Sequence, residues 1–219
     1  METIQNLYDL THTLAADYLS GFTYPWEALK GIKDLILSLG AGLGEDYAEV
    51  SPTVWVHKTA TVAPTAFLGA PCIIGPGTEV RHCAFIRGSA LVGENCVVGN
   101  SVELKNVILF DNVQTPHYNY VGDSILGYKA HMGAGSVTSN VKSDKTLVVI
   151  HGEENIPTNL KKVGAMLGDF VEVGCNSVLN PGTVIGKHSN VYPTSCVRGV
   201  VPEDSIWKTG GVIVKKVTR

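Results

Sequence analysis

The sequence predicts an all-β solenoid, a parallel β-helix of hexapeptide repeats that follows a short N-terminal helical segment. Aliphatic residues recur at every sixth position from Val50 to Leu104. A second series of small or thin side chains runs four residues behind the first, beginning at Val54, and both series return within residues 167–197. An α-helix would need a period of about 3.6 and a flat strand a period of about 2, whereas a fixed longer period is typical of repeat architectures.

Short strands joined by tight turns satisfy this period when one aliphatic side chain on each side points inward. Three sides then make a coil of about 18 residues, and successive coils stack as parallel strands about 4.8 Å apart. The core becomes a column of Val, Ile and Leu, with the small side chains near the corners. Cys72 and Cys96 belong to the small series, so we interpret both as core residues.

Residues 1–47 lack the repeat and form a predicted N-terminal helical cap, whereas residues 48–219 form the predicted β-helix domain. An amphipathic stretch with Pro near its start and Gly at its stop predicts a helix over residues 25–39, and a second helix is expected over residues 3–18. We expect these helices to close one open end of the solenoid, where strand edges would otherwise be unpaired.

The hexapeptide pattern is interrupted in two places. It slips at Pro116–Val121, and a polar insertion at about 138–162 is too long for a corner turn. Long insertions in solenoids map to one face and often bind ligand. The sequence therefore predicts that the functional region lies near the slip and the insertion.

Composition excludes several classes of function. Charged residues make up 17% of the chain and the formal net charge is -3, so no basic surface indicates binding to nucleic acid or to an anionic membrane. No apolar run approaches the roughly 18 residues of a membrane span, and the N-terminus, METIQNLYDLTHTL, does not resemble a signal peptide. The five cysteines include no CxxC pair and are typical of reduced thiols. We therefore expect a cytoplasmic protein.

The most specific motif is HYNYVGD, from His117 to Asp123, followed by Gly133-Ala134-Gly135. It resembles the C-terminal acetyltransferase domain of the bifunctional UDP-N-acetylglucosamine pyrophosphorylase/glucosamine-1-phosphate acetyltransferase family. The archaeal sugar-1-phosphate nucleotidylyltransferase/acetyltransferases are also similar in the stretch LKKVGAMLGDFVEVG that follows the insertion. The resemblance covers about residues 48–205. It implies a left-handed β-helix, acetyl-coenzyme A (acetyl-CoA) as cofactor, and a homotrimer with sites between neighbouring columns. The nucleotidyltransferase half of that family is expected to be absent.

Transfer of an acetyl group to an amine requires a base, oxyanion donors, a slot for coenzyme A and, for a phosphorylated substrate, an anion clamp. His117 is the candidate base, because an imidazole pKa of about 6.5 suits proton removal from an ammonium, and the family places its base at this histidine. Arg87 and Lys105 are 18 residues apart, one full coil, and each follows an inward aliphatic residue. We expect them to stack on one outer face with an anion between them. Two solvated surface cations are the alternative.

The resemblance implies the remaining site residues. On the sugar-phosphate side these are Glu103, grouped with His117 in the catalytic set, Tyr120 and His131 as sugar contacts, and Lys145 as a third phosphate ligand. His131 stands where bacterial members of the family carry Asn. On the acetyl-CoA side they are Asn140, Ala134, Cys175 and Pro193. An ion pair with Lys105 is the alternative for Glu103, and backbone N–H groups near Gly133-Ala134-Gly135 are the predicted oxyanion donors.

We therefore predict an acetyl-CoA-dependent N-acetyltransferase that acts on an amino-sugar 1-phosphate such as glucosamine-1-phosphate, by direct attack with His117 as general base. Its expected partners are the small-molecule substrate and further copies of the chain, with no nucleic acid, membrane or metal. One alternative is a zinc carbonic anhydrase of the same β-helix class, which needs three converging histidines with a close pair that this sequence lacks. The other is a non-catalytic or regulatory β-helix domain of a sugar-nucleotide pathway, for which decay of His117, Arg87 and Lys105 is expected although all three are present.

Overall fold

The computed structural model describes residues 3–217 and shows a three-sided column of short parallel strands. Within these residues, pairing between neighbouring coils builds a 14-stranded sheet and a 9-stranded sheet. A separate 2-stranded hairpin pairs with neither sheet. The larger sheet covers two sides of the column and the smaller sheet covers the third. The predicted fold class, a left-handed parallel β-helix of hexapeptide repeats with a short N-terminal helical segment, is confirmed.

We call the three sides first, second and third in the order in which they follow one another around a coil. The first side consists of the strands Phe67–Leu68, Phe85–Ile86, Val137–Thr138, Val178–Leu179 and Cys196–Val197. The second side consists of Val54–His57, Cys72–Ile74, Ala90–Val92, Ala165–Leu167, Thr183–Ile185 and Val200–Val201. The third side consists of Thr61–Val62, Glu79–Val80, Val97–Asn100, Gln114–His117, His131–Met132, Glu172–Val173, Asn190–Val191 and Ser205–Trp207. Two longer strands, Glu103–Leu109 and Tyr120–Leu126, belong to both the first and second sides. At the two ends of the column, Tyr47–Ser51 pairs antiparallel with Val54–His57, and Ile213–Lys215 pairs antiparallel with Ser205–Trp207.

The aliphatic series lines the inside of the column, as the repeat predicts. Ile86 is fully buried, and so are most members of its series. Cys72 and Cys96 are also buried, and burial raises the pKa of each thiol to about 12. Val50 departs from the prediction, because it lies in the antiparallel strand Tyr47–Ser51 and is 59% exposed. The solenoid core therefore begins after the first step of the sequence series.

The repeat slips at a different corner from the one predicted. The step from the inward residue Leu104 to the next one, Leu109, is five residues instead of six, and the step from Val121 to Leu126 is again five. Both short steps lie at the corner between the first and second sides. The slip expected at Pro116–Val121 is therefore wrong, since the missing residue is lost where the chain turns from the first side to the second.

The shortened corner is occupied by residues that accept left-handed backbone angles. Asn106 has a φ of 56° and Asp123 a φ of 49°, a region in which Asn and Asp are the most favoured residues after Gly. In the next coil the same corner carries the insertion, which closes where the Val163 N–H donates to the Asn140 carbonyl at 3.0 Å. Three successive coils thus depart from the repeat at one corner.

The insertion expected at about 138–162 contains a loop and an antiparallel hairpin. The hairpin consists of Val149–His151 and Asn155–Pro157. Val148 and Ile150 are buried, and the hairpin contacts the strand Thr183–Ile185. The hairpin therefore covers the lower part of the second side.

The N-terminal segment covers the upper part of the same side. Its α-helices are Ile4–Leu7, Ala16–Ser20 and Ile32–Gly40, and its 3-10 helices are Leu10–His12 and Pro25–Gly31. The single helix expected over residues 3–18 is wrong, because the chain is extended at Tyr8 and Thr13. The helix expected over residues 25–39 is present as a 3-10 turn that continues into an α-helix.

These helices lie along the column and not over its end. The helix Ile32–Gly40 contacts the second-side strands from the Cys72, Ala90 and Glu103 coils. As a result the outward-facing side chains Ile73, Leu91 and Ile108 are at most 1% exposed. The position differs from the predicted end cap because the second side presents an apolar outer row that needs covering. In residues 3–217, no helix is both long and apolar enough to cross a membrane.

Candidate active site

Four of the sequence-predicted site residues lie one above the other at the corner between the third and first sides. The links are backbone N–H to carbonyl hydrogen bonds of 3.0 Å from Gly135 to His117, 2.8 Å from Asn176 to Ala134 and 2.8 Å from Thr194 to Cys175. We call this row the corner column and define it as His117, Ala134, Cys175 and Pro193. Its members are separated by about 4.8 Å, one strand spacing, from coil to coil.

The two predicted cations lie in register on the first side. The Arg87 N–H donates to the Leu104 carbonyl at 2.8 Å, which places Arg87 beside Lys105 of the next coil. Each cation has a carboxylate partner, since Arg87 Nη1 lies 2.8 Å from Glu103 Oε1 and Lys105 Nζ lies 2.8 Å from Asp123 Oδ1. The alternative of a Glu103–Lys105 ion pair is therefore wrong. The two carboxylates supply the negative charge that the sequence argument assigned to a bound anion.

Asp123 organises the second of these pairs. Its side chain is only 5% exposed, and its Oδ1 accepts from Lys105 Nζ and, at 2.9 Å, from Asn106 Nδ2. The other oxygen, Oδ2, accepts from Asn140 Nδ2. Asp123 therefore joins a predicted phosphate ligand to a predicted acetyl-CoA contact. Asp123 is the last residue of the HYNYVGD motif, but no role was predicted for it from the sequence.

Tyr120 lies along the first side between the corner column and the cations. A side-chain carbon at Gly122 would overlap the Tyr120 hydroxyl, so the glycine leaves the space that the ring occupies. Asn140 Nδ2 donates to the Tyr120 hydroxyl at 3.2 Å. Partial burial, and then the nearby carboxylates of Asp123 and Glu103, raise the pKa of Tyr120 above its ordinary value. The phenol is therefore neutral at physiological pH and keeps its proton for donation.

His117 and the cations stand at opposite edges of the first side. Gly122 pairs with Lys105, whereas His117 pairs with Asn100 at the end of a third-side strand, and the corner at Tyr118, with a φ of 52°, lies between them. The imidazole is exposed to solvent, and the His117 backbone N–H donates to Asn119 Oδ1 at 3.1 Å. Within one chain these residues share a face and not a single pocket.

His131 lies on a different side from this group. It belongs to the third side, where its Nδ1 is 2.8 Å from Glu172 Oε2. Both side chains line a surface pocket of about 430 Å³ together with Asn112, Gln114 and Lys129. Within one chain the structure does not bring His131 to Tyr120.

Lys145 also lies apart from the group, exposed in the loop that begins the insertion. In the same loop it is Lys142 that lines a groove of about 280 Å³ on the first side, with Ser139, Asn180 and Arg198. The lysine of this loop that lines the first side is therefore Lys142 and not Lys145.

Two of the three predicted oxyanion donors already donate hydrogen bonds within the solenoid. The Gly133 N–H donates to the Val173 carbonyl at 2.7 Å, and the Gly135 N–H donates to the His117 carbonyl at 3.0 Å. Both groups are committed to the coil-to-coil hydrogen bonds. Of the three predicted groups, this leaves the Ala134 N–H, directly below His117 in the corner column, as the candidate donor.

Three residues of the candidate site were not predicted from the sequence: Asn106, Asn119 and Asp123. Asp123 is 18 residues after Lys105, so a uniform repeat would have stacked the two, but the shortened corner instead pairs Lys105 with Gly122. Asn119 stands within HYNYVGD and is 2% exposed, a polar residue buried inside a motif. Among residues 3–217, no three His, Cys, Asp or Glu side chains are grouped so that they could hold a metal ion.

Among solved structures, similar ones include the acetyltransferase domain of PglB from Neisseria gonorrhoeae, with 14% identity, a TM-score of 0.36, and coverage of 80% of this chain and 62% of that one. Another is a mutant form of AntD, an N-acyltransferase from Bacillus cereus, with 17% identity, a TM-score of 0.37, and coverage of 76% and 82%. At this level of similarity neither structure carries a functional argument.

Two curated relatives align with most of the chain. The bifunctional protein GlmU of Methanococcus maripaludis is 29% identical over 203 residues, which cover 91% of this chain and 49% of that protein. A bifunctional sugar-1-phosphate nucleotidylyltransferase/acetyltransferase of Sulfurisphaera tokodaii is 28% identical over 179 residues, which cover 80% and 45%. The chain thus spans about half the length of the curated relatives it matches.

A family model provides the assignment. The model described as the GMPPB C-terminal domain matches residues 71–209, which is more than half of the chain. The matched region includes the corner column, both cation–carboxylate pairs and the insertion. This chain belongs to the GMPPB C-terminal domain family.

Proposed function

We propose that this chain is an acyltransferase that moves the acetyl group of acetyl-CoA to the amine of an amino-sugar 1-phosphate. The observation that carries the proposal is the position of His117 in the corner column, at the edge of the side that displays Tyr120, Arg87 and Lys105. The Sulfurisphaera tokodaii relative, a bifunctional sugar-1-phosphate nucleotidylyltransferase/acetyltransferase, supports an acetyl transfer on sugar phosphates.

The substrate is proposed to lie on the first side with its amine at His117. Amine and phosphate are on adjacent carbons of the sugar, so in this proposal the long side chains of Arg87 and Lys105 extend along the first side toward His117 to reach the phosphate. Carboxylate pairing does not exhaust these cations, because a guanidinium has five N–H donors and an ammonium has three. Arg87 uses Nη1 on Glu103, and Lys105 uses one bond on Asp123. Both retain donors for phosphate oxygens, while Tyr120 keeps a hydroxyl proton for the sugar.

In the proposed reaction the His117 imidazole takes a proton from the sugar ammonium. The freed amine attacks the thioester carbonyl carbon, so that a C–N bond forms, and the C–S bond then breaks. The imidazolium releases this first proton to solvent, and His117 then takes the second proton from the attacking nitrogen and gives it to the leaving thiolate. The Ala134 N–H, one strand spacing from His117, stabilises the developing oxyanion. Cys175 and Pro193 continue the corner column below this point and are the proposed track of coenzyme A. Asn140, at the opposite corner of the first side, bonds to Asp123 instead.

A neighbouring copy of the chain completes the proposed site. His131 and Lys145 lie away from the Tyr120 group within one chain, so their predicted sugar and phosphate contacts require a second column alongside the first. The homotrimer implied by the sequence resemblance would provide such a column. A monomer with full activity would contradict this part of the proposal.

The test is release of free thiol from acetyl-CoA in the presence of glucosamine-1-phosphate or galactosamine-1-phosphate. Glucose-1-phosphate, which lacks the amine, and glucosamine, which lacks the phosphate, are the matched acceptor controls. His117→Ala is expected to lower kcat by about 10²–10⁴-fold, the range for loss of a general base. His82→Ala is the matched variant, since His82 occupies the same corner two coils earlier and should leave kcat unchanged. Undiminished turnover in His117→Ala would remove this histidine from the mechanism.

A second candidate is a non-catalytic domain that binds a sugar nucleotide or a partner. The observation that favours it is the complete pairing of Arg87 with Glu103 and of Lys105 with Asp123, which leaves the cluster without net charge. A thermal shift with an amino-sugar phosphate, without thiol release from acetyl-CoA, would identify this alternative.

A further inference from the structure

Asn119 is a buried polar residue two positions after His117. The residue is 2% exposed, and its side-chain oxygen Oδ1 accepts the His117 backbone N–H at 3.1 Å. Its amide nitrogen Nδ2 lies 2.9 Å from the Gly133 carbonyl and 3.1 Å from both the carbonyl and the hydroxyl of Ser136. One side chain thus connects the His117 corner to the corner of the next coil.

The connection extends through three coils. The Asn119 carbonyl accepts the Glu103 N–H of the preceding coil at 2.9 Å, and the Ser136 hydroxyl donates to the Gly133 carbonyl at 2.7 Å. Buried networks whose members are all paired are rigid, since a displaced group would lose its hydrogen bonds in a medium of low dielectric constant. The backbone that carries His117 is therefore held relative to the backbone on both sides of Ala134.

We propose that Asn119 is a positioning residue, which holds His117 at a fixed place above the Ala134 N–H so that base and oxyanion donor act on the same acetyl transfer. This inference rests on the proposed function. Asn119 lies inside the column, where it touches neither substrate directly. Its effect is therefore on kcat and not on KM.

The expected magnitude follows from the sensitivity of catalysis to geometry. Productive sites are held within about 0.5 Å, and misplacement by about 1 Å lowers the rate by about 10²-fold. Asn119→Ala removes the acceptor of the His117 N–H and the donors to Gly133 and Ser136. We expect kcat for acetyl transfer to fall by about a hundredfold, with KM for both substrates unchanged.

The matched control is Thr78→Ala. Thr78 is fully buried at another corner, where its hydroxyl donates to the Gly93 carbonyl at 2.7 Å and accepts the Cys96 N–H at 2.9 Å. Its removal also deletes buried hydrogen bonds between coils. Thr78→Ala is expected to lower the melting temperature while kcat is unchanged.

The decisive experiment is a double-substitution cycle with His117→Ala, measured on folded protein. If Asn119 acts through His117, Asn119→Ala lowers kcat in the native background and adds no further loss when His117 is already Ala. An equal loss in both backgrounds, or no loss in the native one, would overturn the inference. If Asn119→Ala does not fold, Asn119→Asp, which keeps an oxygen for the His117 N–H, is measured in the same double-substitution cycle. Absence of thiol release in the native chain, or full activity in His117→Ala, would instead contradict the proposed function and this inference with it.

Discussion

Replacing Asp123 by Asn should destabilise the protein strongly, whereas replacing Glu103 by Gln should not, although each change removes one carboxylate from a cation of the same site. The difference arises from burial. The Asp123 side chain is 5% exposed and its partner Lys105 27%, while Glu103 is 33% exposed and its partner Arg87 47%. Exposed ion pairs contribute little to stability, because water and salt screen them.

The magnitude for Asp123→Asn follows from its contacts. The backbone at φ 49° accepts Asn, so the change is confined to the side chain. Lys105 loses its counter-charge, and one amide group of the new residue faces the donor of Asn106 or of Asn140. Removing one partner of a buried pair costs about 3–5 kcal/mol, and the partial exposure of Lys105 places the loss near the lower limit, about 3 kcal/mol. For a chain of this size the melting temperature should fall by about 6–12 °C.

Thermal unfolding followed by circular dichroism measures both variants under the same conditions. Glu103→Gln should melt together with the unaltered protein, and its small effect should vanish at high salt. Equal shifts for the two variants, or a loss of less than about 1 kcal/mol for Asp123→Asn, would refute the argument that burial decides which pair holds the corner.

Three further outcomes are expected. Arg87→Ala should raise KM for an amino-sugar 1-phosphate roughly tenfold with little change in kcat, because it removes binding that is common to ground and transition states, and kinetics with the unphosphorylated sugar provide the control. Gly99→Ala should lower the melting temperature, because its new methyl group would overlap the backbone carbonyl of Pro116, whereas Gly44→Ala, with open space around it, should not. Tyr120 should lose its proton only above the ordinary tyrosine range, since burial and two carboxylates raise its pKa, and absorbance titration of the unaltered protein against Tyr120→Phe measures this.

The outer geometry of the repeat could be read without a structure. In an uninterrupted solenoid, spacing along the chain is the same as position in space, so Arg87 and Lys105 could be placed side by side from their separation alone. The same relation explains why the corner column forms. Each of its members, His117, Ala134, Cys175 and Pro193, directly precedes a residue with left-handed backbone geometry. The period of the aliphatic residues carries this information because the inward positions are mostly apolar on all three sides, whereas in residues 3–217 a buried apolar outer row occurs on the second side alone.

The partners of those residues were decided by the tertiary structure. Loss of one residue at the Asn106 and Asp123 corners leaves the aliphatic pattern almost unchanged, yet it moves Asp123 from the position beside Lys105 to the corner, where its buried carboxylate receives three donors. The helices likewise carried a signal for their existence but none for their place along the second side. Hydrophobic period determines which side chains point inward, whereas the choice among polar partners depends on corner lengths and on the burial that three coils create together.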